Sequence, residues 1–220
     1  MGKTESGVLM LGLVVAVIIC EAAAYDYFQM VEQWQPATCS DKKLRFGCRQ
    51  KPKQVFTIHG LWPSNYSSAR SQPCRGTRFD VTQIAPIRAQ LNQYWPDVVN
   101  GNNQRFWEHE WSKHGTCSEK QFPERAYFQN ALDIAKRYDL LSILKRAGQN
   151  PDGKVKQRAN IEAAISRAIG KRPVLRCNFN KSNARQLHEI VLCVAKNGVA
   201  LESCTKFAAA TCPNTFVWGS

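Results

Sequence analysis

The stretch RFWEHEWSKHGTC, residues 105–117, sets two histidines, two glutamates and a lysine within seven residues. On a helix, Trp107 and Trp111 share one face, four residues apart. His109 pairs with Lys113, and Glu110 with His114, at the same spacing on neighbouring rows. Three readings are open to such a surface. It can be a solvated helix face, whose ion pairs contribute a few tenths of a kcal/mol each. It can bind a metal, but the zinc pattern His-Glu-x-x-His needs histidines four apart. Here they are five apart, which turns the second ring about 100° off that face. Lys113 also opposes a dication, so neither a metal nor any other cofactor is expected. The third reading is general acid–base chemistry at a phosphate. Imidazole titrates near neutral pH and can accept or donate a proton. Lysine stabilises charge that develops on phosphoryl oxygens, and a carboxylate orients a neighbouring imidazole.

The helix lacks a second imidazole to face His114 across a substrate. The chain has four histidines. His59 ends the alternating run QVFTIHG, where Phe56 and Ile58 point to a core and His59 to the other face. A lone strand histidine is commonly structural. Beside a basic helix it becomes the partner that the chemistry requires. Two histidines and a lysine suffice to split RNA without a metal. A base takes the 2′-hydroxyl proton, the oxygen attacks the adjacent phosphorus, and an acid protonates the departing 5′-oxygen. A 2′,3′-cyclic phosphate results, and DNA, lacking the hydroxyl, is spared. The fourth histidine, His188, is expected to be structural or exposed.

These residues need elements to hold them. YDYFQMVEQW reads as a first strand and QVFTIHG as a second, with Gly60 and Pro63 marking a turn after it. Residues 65–78 read as a surface loop. DVTQIAPIRAQLNQYW has helical periodicity with Asp80 as its cap, weakened by Pro86. Residues 104–112 read as a helix. A longer helical region from Pro123 to Gly148 breaks near Tyr138 and Asp139, and VKQRANIEAAISRAIG forms another helix closed by Gly170. PVLRCNF and LHEIVLCVAK read as strands. Asn197-Gly198 is a hairpin turn leading to the return strand VALESCTK, and CPNTFVW closes the sheet. Helices in the middle and strands at both ends predict an α+β fold with a central antiparallel sheet.

The chain has 220 residues and begins with an apolar run from Val8 to Cys20, followed by small residues at Ala22 and Ala24. This is the pattern of a secretory signal, too short for a membrane anchor. Residues 1–24 are therefore expected to be a signal peptide, and residues 25–220 a single catalytic domain of an extracellular protein. Cleavage removes Cys20 and leaves eight of the nine cysteines, an even number that predicts four disulfides in an oxidising compartment. The formal charge is +13, and losing Lys3, Glu5 and Glu21, a net of −1, raises it to +14. Such an excess draws polyanions without choosing among them. Asn65 and Asn180 head Asn-x-Ser/Thr sequons and are candidate glycosylation sites.

FTIHGLWPSN (56–65) and WEHEWSKHGTC (107–117) resemble the two active-site segments of the ribonuclease T2 family. The N-terminal YDYFQMVEQWQPATC and the cysteine spacing extend the likeness over essentially all of residues 25–220. Within the family the chain looks most like the basic self-incompatibility ribonucleases of plants, the rose-family type in particular. The resemblance implies a four-disulfide α+β fold and endoribonuclease activity on single-stranded RNA. It implies His59 as general acid, His114 as general base, Glu110 as the active-site glutamate, Lys113 as the cation of the transition state and His109 as a phosphate ligand. Gln33, Trp62, Phe106, Asp97 and Val98 fall where the family contacts the base. Asp97 stands near where one plant subgroup has asparagine, and ionised aspartate accepts but does not donate hydrogen bonds. The implied disulfides are Cys39–Cys48, Cys74–Cys117, Cys177–Cys212 and Cys193–Cys204. A monomer is implied. For the self-incompatibility type, so is a pollen F-box protein that meets variable surfaces, including the loop from Ser64 to Arg78.

Overall fold

The structure is a computed structural model, and it describes residues 25–67, 74–205 and 208–219. The expected signal segment, 1–24, lies outside the described residues. So does part of the expected surface loop, 68–73.

β1 (Tyr27–Trp34) pairs antiparallel with β2 (Phe56–Ser64) on one side and with β5 (Arg185–Ala195) on the other. β5 also takes β4 (Val174–Phe179) and the short β6 (Leu201–Glu202), both antiparallel. β7 (Thr215–Val217) joins β5 through one parallel bridge and carries β3 (Val155–Gln157) antiparallel. The sheet is therefore antiparallel apart from that one bridge. It sits with packed helices in an α+β fold, and all four expected disulfides are formed.

The helices are α1 (Gln35–Cys39), α2 (Arg88–Tyr94), α3 (Asn103–Lys113), α4 (Glu124–Arg137), α5 (Leu140–Arg146) and α6 (Arg158–Ile169). α4 and α5 are separated at Tyr138 and Asp139, as the periodicity predicts, and Asp139 caps α5 by accepting the Ser142 N–H. Several local expectations are corrected. Asp80 does not cap α2. Its carboxylate holds a turn through the Thr82 N–H, because Pro86 delays the regular helix to Arg88. Val155–Gln157 pairs as a strand, so α6 begins only at Arg158. The return strand after the Asn197-Gly198 turn is two residues long, since Cys204 is drawn to Cys193. Gly60 and Pro63 do not end the second strand, which runs on to Ser64. Pro63 is tolerated because β2 lies at the sheet edge.

Two irregularities in this sheet matter for function. Along β2, Ile58 lies opposite Glu32 and Gly60 opposite Val31, so His59 is an extra residue with no partner across. Along β5, Glu189 lies opposite Arg176 and Leu187 opposite Cys177, so His188 is likewise extra. Each bulge shifts the phase of alternation by one. Leu61 and Leu187 accordingly enter the main core, with Phe28, Met30, Trp34, Ile58, Ile190 and Leu192. The opposite face carries a smaller cluster around Tyr27, Val31, Val191 and Cys193, against which Trp62 packs.

Candidate active site

α3 meets the sheet at its β2 edge. Asn102 caps it, accepting the Arg105 N–H at 3.1 Å. Trp107 and Trp111 share the buried face that their spacing predicts, and each is held at its indole N–H. Trp107 donates to the Trp95 carbonyl at 2.8 Å, and Trp111 to the Thr77 carbonyl at 3.0 Å. The Cys74–Cys117 disulfide ties the chain just past this helix to the segment that returns from β2. With its tryptophans anchored, α3 turns Glu110 inward and leaves His109 and Lys113 exposed.

Trp62 is the meeting point. Its indole N–H donates to Glu110 Oε2 at 2.9 Å. His59 packs edge-on to its ring with centroids 5.1 Å apart, and His114 stacks on it at 5.2 Å. Trp62 is thus occupied between two imidazoles and a carboxylate. Only the β2 bulge allows this, since strict alternation would send His59 and Trp62 to opposite faces. Gly60 is the other requirement, because a methyl group there would overlap the Trp62 indole and the Glu110 carboxylate.

The two imidazoles have opposite electrostatics. His59 Nδ1 lies 2.6 Å from Glu189 Oε1. Burial lowers the proton affinity of His59, but Glu189 outweighs it, with Glu110 adding to the effect, and the net pKa is raised. Burial alone would raise the Glu189 pKa. The positive charge of His59, its hydrogen bond, His188 and Arg176 bring it down to about 2. Arg176 reaches Glu189 Oε2 at 3.4 Å and is itself fixed by Gln29 Oε1 and the Ala208 carbonyl. His114 has no such support. Its Nδ1 is buried without a hydrogen-bond partner among the described residues. Burial, then Lys113, His59 and His109, push its pKa down to about 3. Burial also raises the Glu110 pKa, against the pull of His59, Trp62 and Lys113.

A cavity of about 820 Å³ opens beside His59, lined also by His109, Phe106, Gln33, Asp97 and Val98. His114, Glu110, Lys113 and Trp62 are not among its lining residues. The Thr38 hydroxyl sits 3.1 Å from Gln33 Oε1 and 3.2 Å from His188 Nε2. Asp97 is committed to its own loop, accepting the N–H of Asn100 through one oxygen and that of Asn102 through the other.

Three neighbours of the site escaped sequence reasoning. His188 is neither remote nor exposed, because the β5 bulge sets it in the cavity wall. Glu189 and Arg176 come together from paired strands. A signal for Glu189 was present: a lone carboxylate inside the apolar run LHEIVLC demands a partner once buried.

Among the described residues, no group of three or more His, Cys, Asp or Glu side chains is placed to hold a metal ion. An α+β scaffold thus gathers two unlike imidazoles and a carboxylate around Trp62, with Lys113 close by and a cavity opening on the His59 side, an arrangement suited to acid–base chemistry. Residues 25–204 match the model of the Ribonuclease T2 family. The chain is 39% identical to ribonuclease MC of Momordica charantia over 88% of its own length and all of that protein. The bitter gourd seed ribonuclease MC1 structure superposes with a TM-score of 0.82, covering 88% of this chain and 100% of that one. Ribonuclease S-1 of Pyrus pyrifolia is 32% identical over 87% of this chain and 86% of that protein. The chain belongs to the ribonuclease T2 family and is a ribonuclease of that class.

Proposed function

We propose that the protein cleaves single-stranded RNA by 2′-hydroxyl transphosphorylation, with His114 as base and His59 as acid. The observation that carries this reading is the opposite displacement of the two imidazole pKa values around Trp62. Glu189 beside one ring favours its protonated form and burial of the other favours its neutral form, which supports reading His59 as acid and His114 as base. His114 takes the 2′-hydroxyl proton and the oxygen attacks phosphorus. His59, protonated and steadied by Glu189, gives its proton to the departing 5′-oxygen. Lys113 and His109 neutralise charge on the phosphoryl oxygens, and Glu110 fixes Trp62 and offsets the imidazolium. Hydrolysis of the cyclic phosphate follows with the two histidines exchanging roles. Gln33, Phe106, Asp97 and Val98 form the wall for the leaving base, while Trp62 braces the histidines. Because the oxygens of Asp97 are engaged, it acts by shaping the loop.

RNA and sequence-matched DNA, each incubated in excess chelator, test the mechanism. RNA cleavage should persist and DNA remain intact. Loss of RNA cleavage in chelator, or equal cutting of DNA, would falsify it. Replacing His114 with alanine should cost roughly 10²–10⁴-fold in kcat.

We read residues 1–24 as a cleaved secretory signal, Asn65 and Asn180 as glycosylated, and the mature enzyme as an extracellular monomer. No helix among the described residues is long and apolar enough to cross a membrane. The role we infer is that of a pistil determinant of self-incompatibility, recognised by a pollen F-box protein. The strong positive charge and the pear relative support it. A second reading, defence, phosphate scavenging or senescence, is favoured by the higher identity to ribonuclease MC and to the 36% identical extracellular ribonuclease LE of Solanum lycopersicum. Transcript present in leaves and absent from styles would decide for the second.

A further inference from the structure

The cavity beside His59 is larger than the set of groups that the reaction itself uses. Its lining also includes Lys43, Arg49 and Arg105. None of these three side chains makes an ion pair or hydrogen bond among the described residues. Two carboxylates share the wall, fewer than the three cations, and their oxygens are turned to neutral N–H donors. Asp41 accepts the Lys43 N–H and the Asn178 amide, and Asp97 accepts two backbone N–H groups. Arg105 continues a row on α3. Lys113, His109 and Arg105 stand four residues apart, about 6 Å per step along the axis. Arg49 joins from another segment, positioned by its N–H bond to the Val99 carbonyl at 2.9 Å.

The cavity also has a direction. His59 and His109 line it, whereas His114 and Lys113 do not. It therefore opens on the side of the site that carries the proposed acid.

We propose that Arg105, Arg49 and Lys43 form a binding track for RNA phosphates on the 3′ side of the scissile bond. This rests on reading His59 as the acid. The nucleotide that departs through its 5′-oxygen then lies beside His59, and the strand continues from its 3′ end into the same cavity. Unpaired cations on the wall hold the following phosphates, and each contact releases counterions.

Short DNA oligonucleotides carrying one ribonucleotide fix the cleavage site and test the track. kcat/KM is measured for a core substrate, for the core extended by two nucleotides on the 3′ side, and for the core extended equally on the 5′ side. In the wild type, 3′ extension should raise kcat/KM at least severalfold at low salt. In the double variant R49Q/R105Q the 3′ ratio should fall towards one, while the 5′ ratio stays as in the wild type. The salt slope of log kcat/KM for the 3′-extended substrate should become shallower by about 1.4, near 0.7 per lost charge on a single strand. If the variant keeps the 3′ ratio, or loses the 5′ ratio equally, the track is overturned alone. If the wild type does not cut at the lone ribonucleotide, the 2′-hydroxyl reading fails and takes the track with it.

Discussion

His59 and His114 are the same residue type, and their surroundings separate them. His59 has an anion at 2.6 Å, anchored in turn by Arg176. His114 has an indole face, nearby positive charge and a buried nitrogen without a partner among the described residues. For a reaction that needs His114 neutral and His59 protonated, the sign follows directly. Activity falls on the acid side as His114 gains a proton, near pH 3. It falls on the basic side as His59 loses one, above the usual imidazole range of about 6.5. Glu189→Gln removes the charge that raises the His59 pKa, so the basic limb of kcat/KM should move to lower pH while the acid limb moves less. A substrate with a 4-nitrophenolate leaving group needs little acid assistance and should lose far less activity in this variant than a dinucleotide. If both substrates lose activity equally and the limb stays in place, Glu189 only maintains the fold.

At the scale of elements, the site depends on where two strands break their own alternation. The bulge at His59 brings His59, Gly60 and Trp62 to one face, and the bulge at His188 does the same for His188 and Glu189. Backbone pairing, not side-chain type, makes this choice, so period-two reading of QVFTIHG placed Phe56 and Ile58 but not the phase shift, and a strand assignment for LHEIVLC carries no register at all. Gly60 is the sensitive point, since any side chain there meets Trp62 and Glu110. Gly60→Ala should lower kcat by about 10²-fold, the order expected for a displacement near 1 Å. It should also lower the melting temperature, because the half-buried Trp62–Glu110 bond is strained or broken. Kinetics and thermal melting on the same preparation check both. Wild-type kcat in a folded Gly60→Ala protein would mean that the Trp62–Glu110 contact is dispensable.

At the scale of the whole molecule, the net charge of +13 over the full chain is a long-range attraction for a polyanion. Association with polymeric RNA should weaken steadily as salt rises, with a slope that counts the phosphates contacted at about 0.7 each. kcat at saturating RNA should respond much less, because buried contacts such as His59–Glu189 are screened little. A salt-independent KM for long RNA would show that surface charge serves solubility and not substrate capture. The four disulfides join segments 9 to 43 residues apart, so the cavity wall, the end of α3 and the C-terminal strands are cross-linked around one sheet.

By itself the amino-acid order determined the local and the chemical. It placed the two tryptophans on one helix face, the five-residue histidine spacing that breaks the zinc pattern, the even cysteine count and the basic charge. Those follow from periodicity, valence and counting, which need no partner from elsewhere in the chain. Tertiary structure alone decided that His59 faces an anion from Glu189, 130 residues away, while His114 is buried against Trp62 with no such partner among the described residues. It also decided that Trp62 faces His59, that His188 enters the cavity wall, and that Arg49 and Arg105 share it. Register and long-range electrostatics belong to pairs of segments, so no single stretch of sequence contains them.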